Sequence, residues 1–158
     1  MDVGEVSSAV DEAVYEAHAA EVTRFASTLV GRDDAADVAT DAFLRVTASK
    51  VWVEARDPRA LWFRAVVFEA SSWWRSAHRR RAREARASLG RTETPPPEGD
   101  PEVAAALDQL PLQQRAVVVL TYWLDLDTAS VAHLLGVSDG TVRKQLARAR
   151  ARLKEALS

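Results

Sequence analysis

Residues Asp127–Leu153 read DTASVAHLLGVSDGTVRKQLARARARL, and how this stretch parses decides the fold. The sequence predicts a helix over Thr128–Leu135, a stop at Gly136 and a second helix after Ser138. Gly136 suits the stop because glycine takes a positive φ without a Cβ clash. Val137 would insert into the core, and Ser138 can cap the next helix by accepting from a backbone N–H. In that helix Val142, Leu146, Ala149 and Leu153 recur at +4, +3, +4 and form one inward stripe. At 100° per residue, Lys144, Ala147, Arg148 and Ala151 lie opposite the stripe, with Arg143, Arg150 and Lys154 on a flank. Small Ala132 and Gly136 let the two helices cross closely. The result is a helix-turn-helix with a basic outer face, shaped for a major groove. The alternative is an amphipathic hairpin with a solvated charged face. Turn chemistry, small residues and basic face together favour DNA.

Working outward, the 158 residues suffice for one ordinary domain or two small ones. No cysteine is present, so disulfides and zinc–thiolate sites are excluded. His18, His78 and His133 are scattered and make no metal cluster. No apolar run approaches the ~20 residues of a membrane helix. The N-terminal MDVGEVSS has no signal-peptide pattern, so a cytoplasmic protein is expected. The net charge of −2 conceals four blocks. Residues 1–57 are net −7, 58–91 net +7, 92–142 net −7 and 143–158 net +5. DNA affinity follows local phosphate neutralisation rather than net charge, so two separate DNA contacts are expected.

The first helix is expected over about residues 5–30, burying Val10, Val14, Ala17, Val22, Phe25 and Leu29 on one face. Gly31 ends it, and Asp33 or Asp34 can cap a second helix over about 34–50. That helix would bury Ala39, Ala42, Phe43 and Val46 and show Asp37, Asp41, Leu44 and Arg45. An exposed leucine among charges invites a protein partner, although lone surface leucines are common. Asp57-Pro58 reads as an N-cap followed by proline at the first helical position, opening a long helix to about Arg86. Trp62, Val66, Ala70, Trp73 and Ala77 mark its inner stripe. Its second half carries Arg75, Arg79, Arg80, Arg81, Arg83 and Arg86 beside Trp73 and Trp74. Aromatics interleaved with arginine suit melted nucleic acid; at least one tryptophan belongs to the core, and an anionic membrane is the weaker alternative.

Thr92–Pro101, TETPPPEGDP, reads as an extended acidic linker. From Ala87 to Pro101 it would span at most roughly 50 Å. Beyond it, Glu102–Leu110 reads as a short helix. Val117–Leu120 has strand propensity, but with no partner strand and helical flanks it is assigned to a buried helix, closed by Tyr122 and Trp123. The fold class is therefore all-α: two small helical domains, 5–88 and 102–158, joined by a Pro-rich acidic linker at 89–101, the second containing the helix-turn-helix. No paired carboxylates, nucleophile elbow or glycine-rich phosphate loop points to an enzyme, and Asp125 and Asp127 are best read as helix caps.

The motif order resembles an RNA polymerase sigma factor of the extracytoplasmic-function class of the sigma-70 family, across about residues 10–156. Asp37–Val46 (DVATDAFLRV) is similar to the family's D-L-V-Q-[ED]-x-F-[LI]-x-V segment, Asp57–Trp62 resembles the start of its third conserved helix, and Leu110-Pro111, Arg115 and Thr128–Leu153 match its C-terminal domain. Two positions depart: Thr40 stands where glutamine is usual, and Phe68-Glu69 where Arg-Asn is usual. The resemblance implies a promoter-specificity subunit without catalysis, cofactor or metal of its own. Its implied partners are promoter DNA, the clamp and flap of core polymerase, and an anti-sigma factor, with no membrane insertion. Clamp contacts would come from Asp37, Val38, Thr40, Asp41, Leu44 and Arg45. The −10 element would meet Glu69, Trp73, Trp74, Arg75, Arg79, Arg80 and Arg83. The −35 element would meet Thr128, Ser138, Gly140, Thr141, Arg143, Lys144, Ala147 and Arg148. The alternative is a stand-alone helix-turn-helix regulator that does not act through polymerase; a module that sequesters another factor is a further one.

Overall fold

The structure, a computed structural model, describes residues 2–87 and 100–158. Among these residues every regular element is helical, which agrees with the all-α reading. The helices are α1 (Val3–Val30), α2 (Arg32–Thr47), α3 (Lys50–Val53), α4 (Pro58–Ala87), α5 (Pro101–Asp108), α6 (Leu112–Tyr122), α7 (Thr128–Leu135) and α8 (Asp139–Ala156). None is long and apolar enough to cross a membrane. The expected linker lies outside the described residues except at its end, where Asp100 caps α5 by accepting from the Glu102 N–H at 2.9 Å and Pro101 is the first helical residue.

Helices α1, α2 and α4 form a three-helix bundle. Val22, Phe25, Leu29, Ala39, Ala42, Trp62, Phe63, Val66 and Ala70 fill its centre. Trp62 is fully buried, and its indole N–H donates to the Ala39 carbonyl at 3.0 Å, so its one polar atom is satisfied inside the core. Rings of Tyr15, Phe43 and Trp52 extend this cluster, and Trp52 donates to Asp11 at 2.6 Å. The expected stripe on α1 holds at Val22, Phe25 and Leu29, which are buried, and at Val14, which is half-buried against the core. Val10 and Ala17 are exposed, Val10 because α1 projects past the aromatic cluster and Ala17 because it lies to the side of the Val22–Phe25–Leu29 face. The cap expected for α2 also differs. Gly31, at φ 92°, precedes the helix with no side-chain cap, and Asp33 and Asp34 sit within the first turn, where the helix dipole favours acids. Asp57 does cap α4, accepting from the Ala60 N–H at 3.0 Å.

The strand-prone Val117–Leu120 run is helical. Gln114–Leu120 are all buried, as expected of a helix enclosed on every side; α6 packs on α8, α1, α4 and α7. That enclosure leaves no core volume for Tyr122 and Trp123, which lie at the end of α6 and are 52% and 58% exposed, contrary to the expectation that they close it. Of the two acids before α7, Asp127 caps it, whereas Asp125 makes the turn itself at φ 51°, a conformation aspartate tolerates.

Arg115, 4% exposed, joins the two groups of helices. Its guanidinium donates to the carbonyls of Leu107 (2.8 Å), Asp108 (2.7 Å) and Leu110 (3.2 Å), and to Leu29 of α1 at 3.0 Å. It also lies over the Trp74 ring at 5.5 Å. Charge-assisted bonds contribute about 1.5–3 kcal/mol each, offsetting a desolvation cost of several kcal/mol. Burial lowers the pKa of Arg115 and nearby Asp108 opposes that shift. Replacing Arg115 with alanine strands these carbonyls, and we expect a loss of about 2–4 kcal/mol, a drop of roughly 5–15 °C in thermal midpoint by circular dichroism. Arg115→Lys should cost less but remain measurable, because an ammonium lacks the planar fork.

A second tie joins α1 to α4: Arg59 Nε donates to Glu21 at 2.9 Å, with a further contact between the pair. The hydrogen bond from Arg59 holds the Glu21 carboxyl below its ordinary 4.5, against desolvation. A depressed folded-state pKa means this stabilisation is complete above about 4.5 and fades as the pH falls through the folded value. Arg59→Met should therefore flatten the acid limb of stability against pH, measured by urea denaturation between pH 6 and pH 3.

Candidate nucleic-acid interface

The C-terminal reader is built by local chemistry. Asp127 accepts from the Ser130 N–H at 2.8 Å and starts α7. Gly136 ends that helix in the left-handed conformation at φ 67°, and the Val137 N–H returns to the Ala132 carbonyl at 3.0 Å. Ser138 Oγ accepts from the Thr141 N–H at 3.1 Å and lies 2.9 Å from the Thr141 hydroxyl. Val142, Leu146 and Ala149 are buried and Leu153 is half-buried, as the spacing requires. The opposite face presents Gly140, Arg143, Lys144, Ala147 and Arg148 to solvent; Ser138 is exposed at its start, and Thr128 and Thr141 are half-buried. Arg150, on the flank of that face, is exposed and also engaged within the fold. Its Nε donates to the Tyr122 hydroxyl at 2.7 Å, and its guanidinium covers that ring at 5.7 Å, tying α8 to the end of α6.

The second basic surface is the C-terminal half of α4. Arg75, Arg79, Arg80 and Arg83 are exposed. Ser72, Trp74, Arg75, His78 and Arg79 line an open groove. Trp73 and Trp74 are half-buried and meet edge to face at 5.1 Å. Trp74 donates its indole N–H to the Leu29 carbonyl at 2.8 Å, the same oxygen that accepts from Arg115. Glu69 is mostly covered and pairs with Arg45 of α2. Arg45 in turn lies 5.0 Å from the Phe68 ring. Two residues expected at different partners, Arg45 and Glu69, are thus joined, and the departure from Arg-Asn becomes a tie between α4 and α2.

On α2, Asp37, Thr40, Asp41, Leu44 and Arg45 are exposed, Leu44 by 61%. Val38 is 5% exposed and packs in the core rather than offering a contact. Reading the sequence missed Arg64 and His133 as interacting residues. Arg64 donates to the His133 carbonyl at 2.5 Å, and His133 Nε2 lies 2.7 Å from Asp57 Oδ2. Nothing in their spacing marks a pair formed across 69 residues. Asp57 sits below its ordinary pKa: burial raises it, and the bonds from the Ala60 N–H and His133 outweigh that. No group of three or more metal-ligating side chains occurs among the described residues.

Residues 101–153 match the family described as sigma-70, region 4. Over 151 residues the chain is 32% identical to the ECF RNA polymerase sigma factor SigL of Mycobacterium tuberculosis, covering 88% of this chain and 84% of that protein. The chain belongs to the ECF RNA polymerase sigma factors. A local match to SigM of the same organism is 47% identical over 55 residues, 35% of this sigma factor, and spans only 28% of SigM's length. In fold the chain is similar to CnrH, solved in complex with the cytosolic domain of CnrY. The TM-score is 0.64 at 23% identity, covering 98% of this chain and 93% of that one.

The caps make a testable claim about how the reader is held. Ser138→Ala should cost about 1 kcal/mol and lower the thermal midpoint by roughly 2–4 °C. An unchanged midpoint would mean that α8 starts independently of Ser138.

Proposed function

We propose that this sigma factor directs core RNA polymerase to specific promoters, with α8 reading the −35 element and α4 engaging and opening the −10 element. The observation that carries the reading is the exposed polar and basic face of α8, held by caps at both sides of a tight turn and continued by a family relationship across most of the chain. Gly140, Thr141, Lys144 and Arg148 would face base edges. Arg143 would meet phosphate, with Thr128, Ser138 and Ala147 completing the contact. On α4, Arg75, Arg79, Arg80 and Arg83 would neutralise the backbone, while Trp73 and Trp74 would stack on exposed bases. Glu69, paired with Arg45, would support this surface without repelling phosphate.

The exposed side of α2 (Asp37, Thr40, Asp41, Leu44 and Arg45) would dock on the polymerase clamp, and the second domain on the flap. In this reading residues 5–88 and 102–158 act as two domains on a linker. The sigma factor RpoE of Bartonella quintana, similar in fold to this chain (TM-score 0.57) and solved in complex with the anti-sigma factor NepR, supports an anti-sigma factor as a further partner here. Catalysis stays with the polymerase, the protein needs no cofactor, and it works in the cytoplasm.

The purified chain should bind core polymerase and programme transcription from duplex promoters that it selects. Failure to bind core, with retained binding to duplex DNA, would favour the stand-alone regulator. Arg148→Ala should weaken −35 binding by roughly 1–3 kcal/mol if it reads a base, or lower the salt slope by about one if it meets phosphate. Fluorescence anisotropy at several salt concentrations separates the two.

A further inference from the structure

Helix α4 carries five aromatic rings, and four of them are committed inside the fold. Trp62 and Phe63 are fully buried. Trp74 serves the seam where α6 meets α1 and α4: its indole N–H donates to the Leu29 carbonyl, and the Arg115 guanidinium lies over its ring. Trp73 is half-buried against the core and meets Trp74 edge to face. Phe68 is the exception, 52% exposed. A lone exposed apolar side chain is ordinary, but three observations give this one a use.

The first is the way the ring is held. Arg45 crosses from α2, pairs with Glu69 and sets its guanidinium 5.0 Å from the centre of the Phe68 ring, a favourable placement of a cation over an aromatic face. One face of the ring is thus backed, and the exposed remainder faces solvent. A ring already fixed in place loses little freedom when something stacks on it. The second is register. Phe68, Ser72, Arg75 and Arg79 recur at +4, +3, +4, which at 100° per residue confines them to a stripe about 60° wide. Ser72, Arg75 and Arg79 line the open groove of α4, so Phe68 stands one helical turn beyond the groove's end, about 6 Å along the axis from Ser72. The third is charge. Glu69 is the only acid between Pro58 and Arg83, and Arg45 neutralises it. The approach to the ring along the stripe is therefore positive, which suits a strand of nucleic acid.

We propose that Phe68 is a stacking platform for one unpaired base of the −10 segment, its ring backed by Arg45 and the strand's phosphates led to it by Arg75 and Arg79. This deepens the −10 role proposed above and rests on it: Phe68 is the ring of α4 that meets a base with no rearrangement of the helices. A base inside a duplex has both faces covered by its neighbours. The platform therefore acts only on melted DNA, and because every base has a π-face it favours the unpaired state over any one base.

Fluorescence anisotropy of the full chain on labelled DNA tests this, comparing a fully paired duplex with the same duplex carrying a central run of mismatches. The parent should bind the mismatched duplex more tightly. Phe68→Leu keeps an apolar side chain and removes the ring. It should cut that preference about 5- to 150-fold, the loss of one stacked base, with helicity, paired-duplex affinity and salt slope unchanged. Phe68→Trp should keep the preference. No preference in the parent, or an equal preference in parent and Phe68→Leu, overturns the platform; the second is the result expected if the ring serves a protein partner. Equal losses on both duplexes, or loss of the preference in a folded Phe68→Trp, overturns it too, because the effect would then not be stacking. Core polymerase binding is scored separately by comigration. Its absence would sink the proposed function, while the ratio of the two DNA affinities in parent and variants would still decide whether Phe68 holds an unpaired base.

Discussion

The guanidinium of Arg115 is the constraint on which the arrangement depends. A buried cation without a buried counter-anion stays charged only if its donors are filled, and here backbone carbonyls fill them. Two of these oxygens belong to the last residues of α5, one to the α5–α6 connection and one to the end of α1. The same interaction therefore shapes the corner before α6 and sets where α6 meets the first bundle. Its net contribution is small, because desolvation and hydrogen bonding are of similar size. What it supplies is position: an apolar side chain would tolerate sliding, whereas a planar fork with fixed acceptors does not.

Charge is distributed by the same logic. Acidic and basic residues that could repel a nucleic acid or one another are paired inside the fold. Glu21 is held by Arg59, and Glu69 by Arg45. Most of the arginines of late α4 and the recognition helix are left unpaired among the described residues, pointing outward. The Glu69–Arg45 pair is instructive, since the side chain least suited to a phosphate-facing helix is turned to a neighbouring helix and neutralised there. The cation-aromatic contact with Phe68 completes that tie.

Much of the fold was legible because it is local. Pro58 after Asp57, Gly136 before Ser138 and the +4, +3, +4 stripe of α8 each act within a few residues, and each took the expected form. The helix over Val117–Leu120 was legible by a different route, from the absence of any partner strand. Where expectation and structure parted, packing between distant segments was the cause. Val38 is turned into the core, and Tyr122 and Trp123 are left outside because α6 is already enclosed.

The sequence by itself determined the helices, their caps, the basic outer face of α8 and the family, because periodicity, turn chemistry and motif order are properties of neighbouring residues. Tertiary structure alone decided that Arg115 reaches Leu29, that Arg64 covers Gly136 and that Trp74 serves the seam. Those contacts join residues 86, 72 and 45 positions apart or more loosely linked still through a shared carbonyl. No spacing rule encodes such pairs, since they exist only once two separately formed helical layers have been brought face to face.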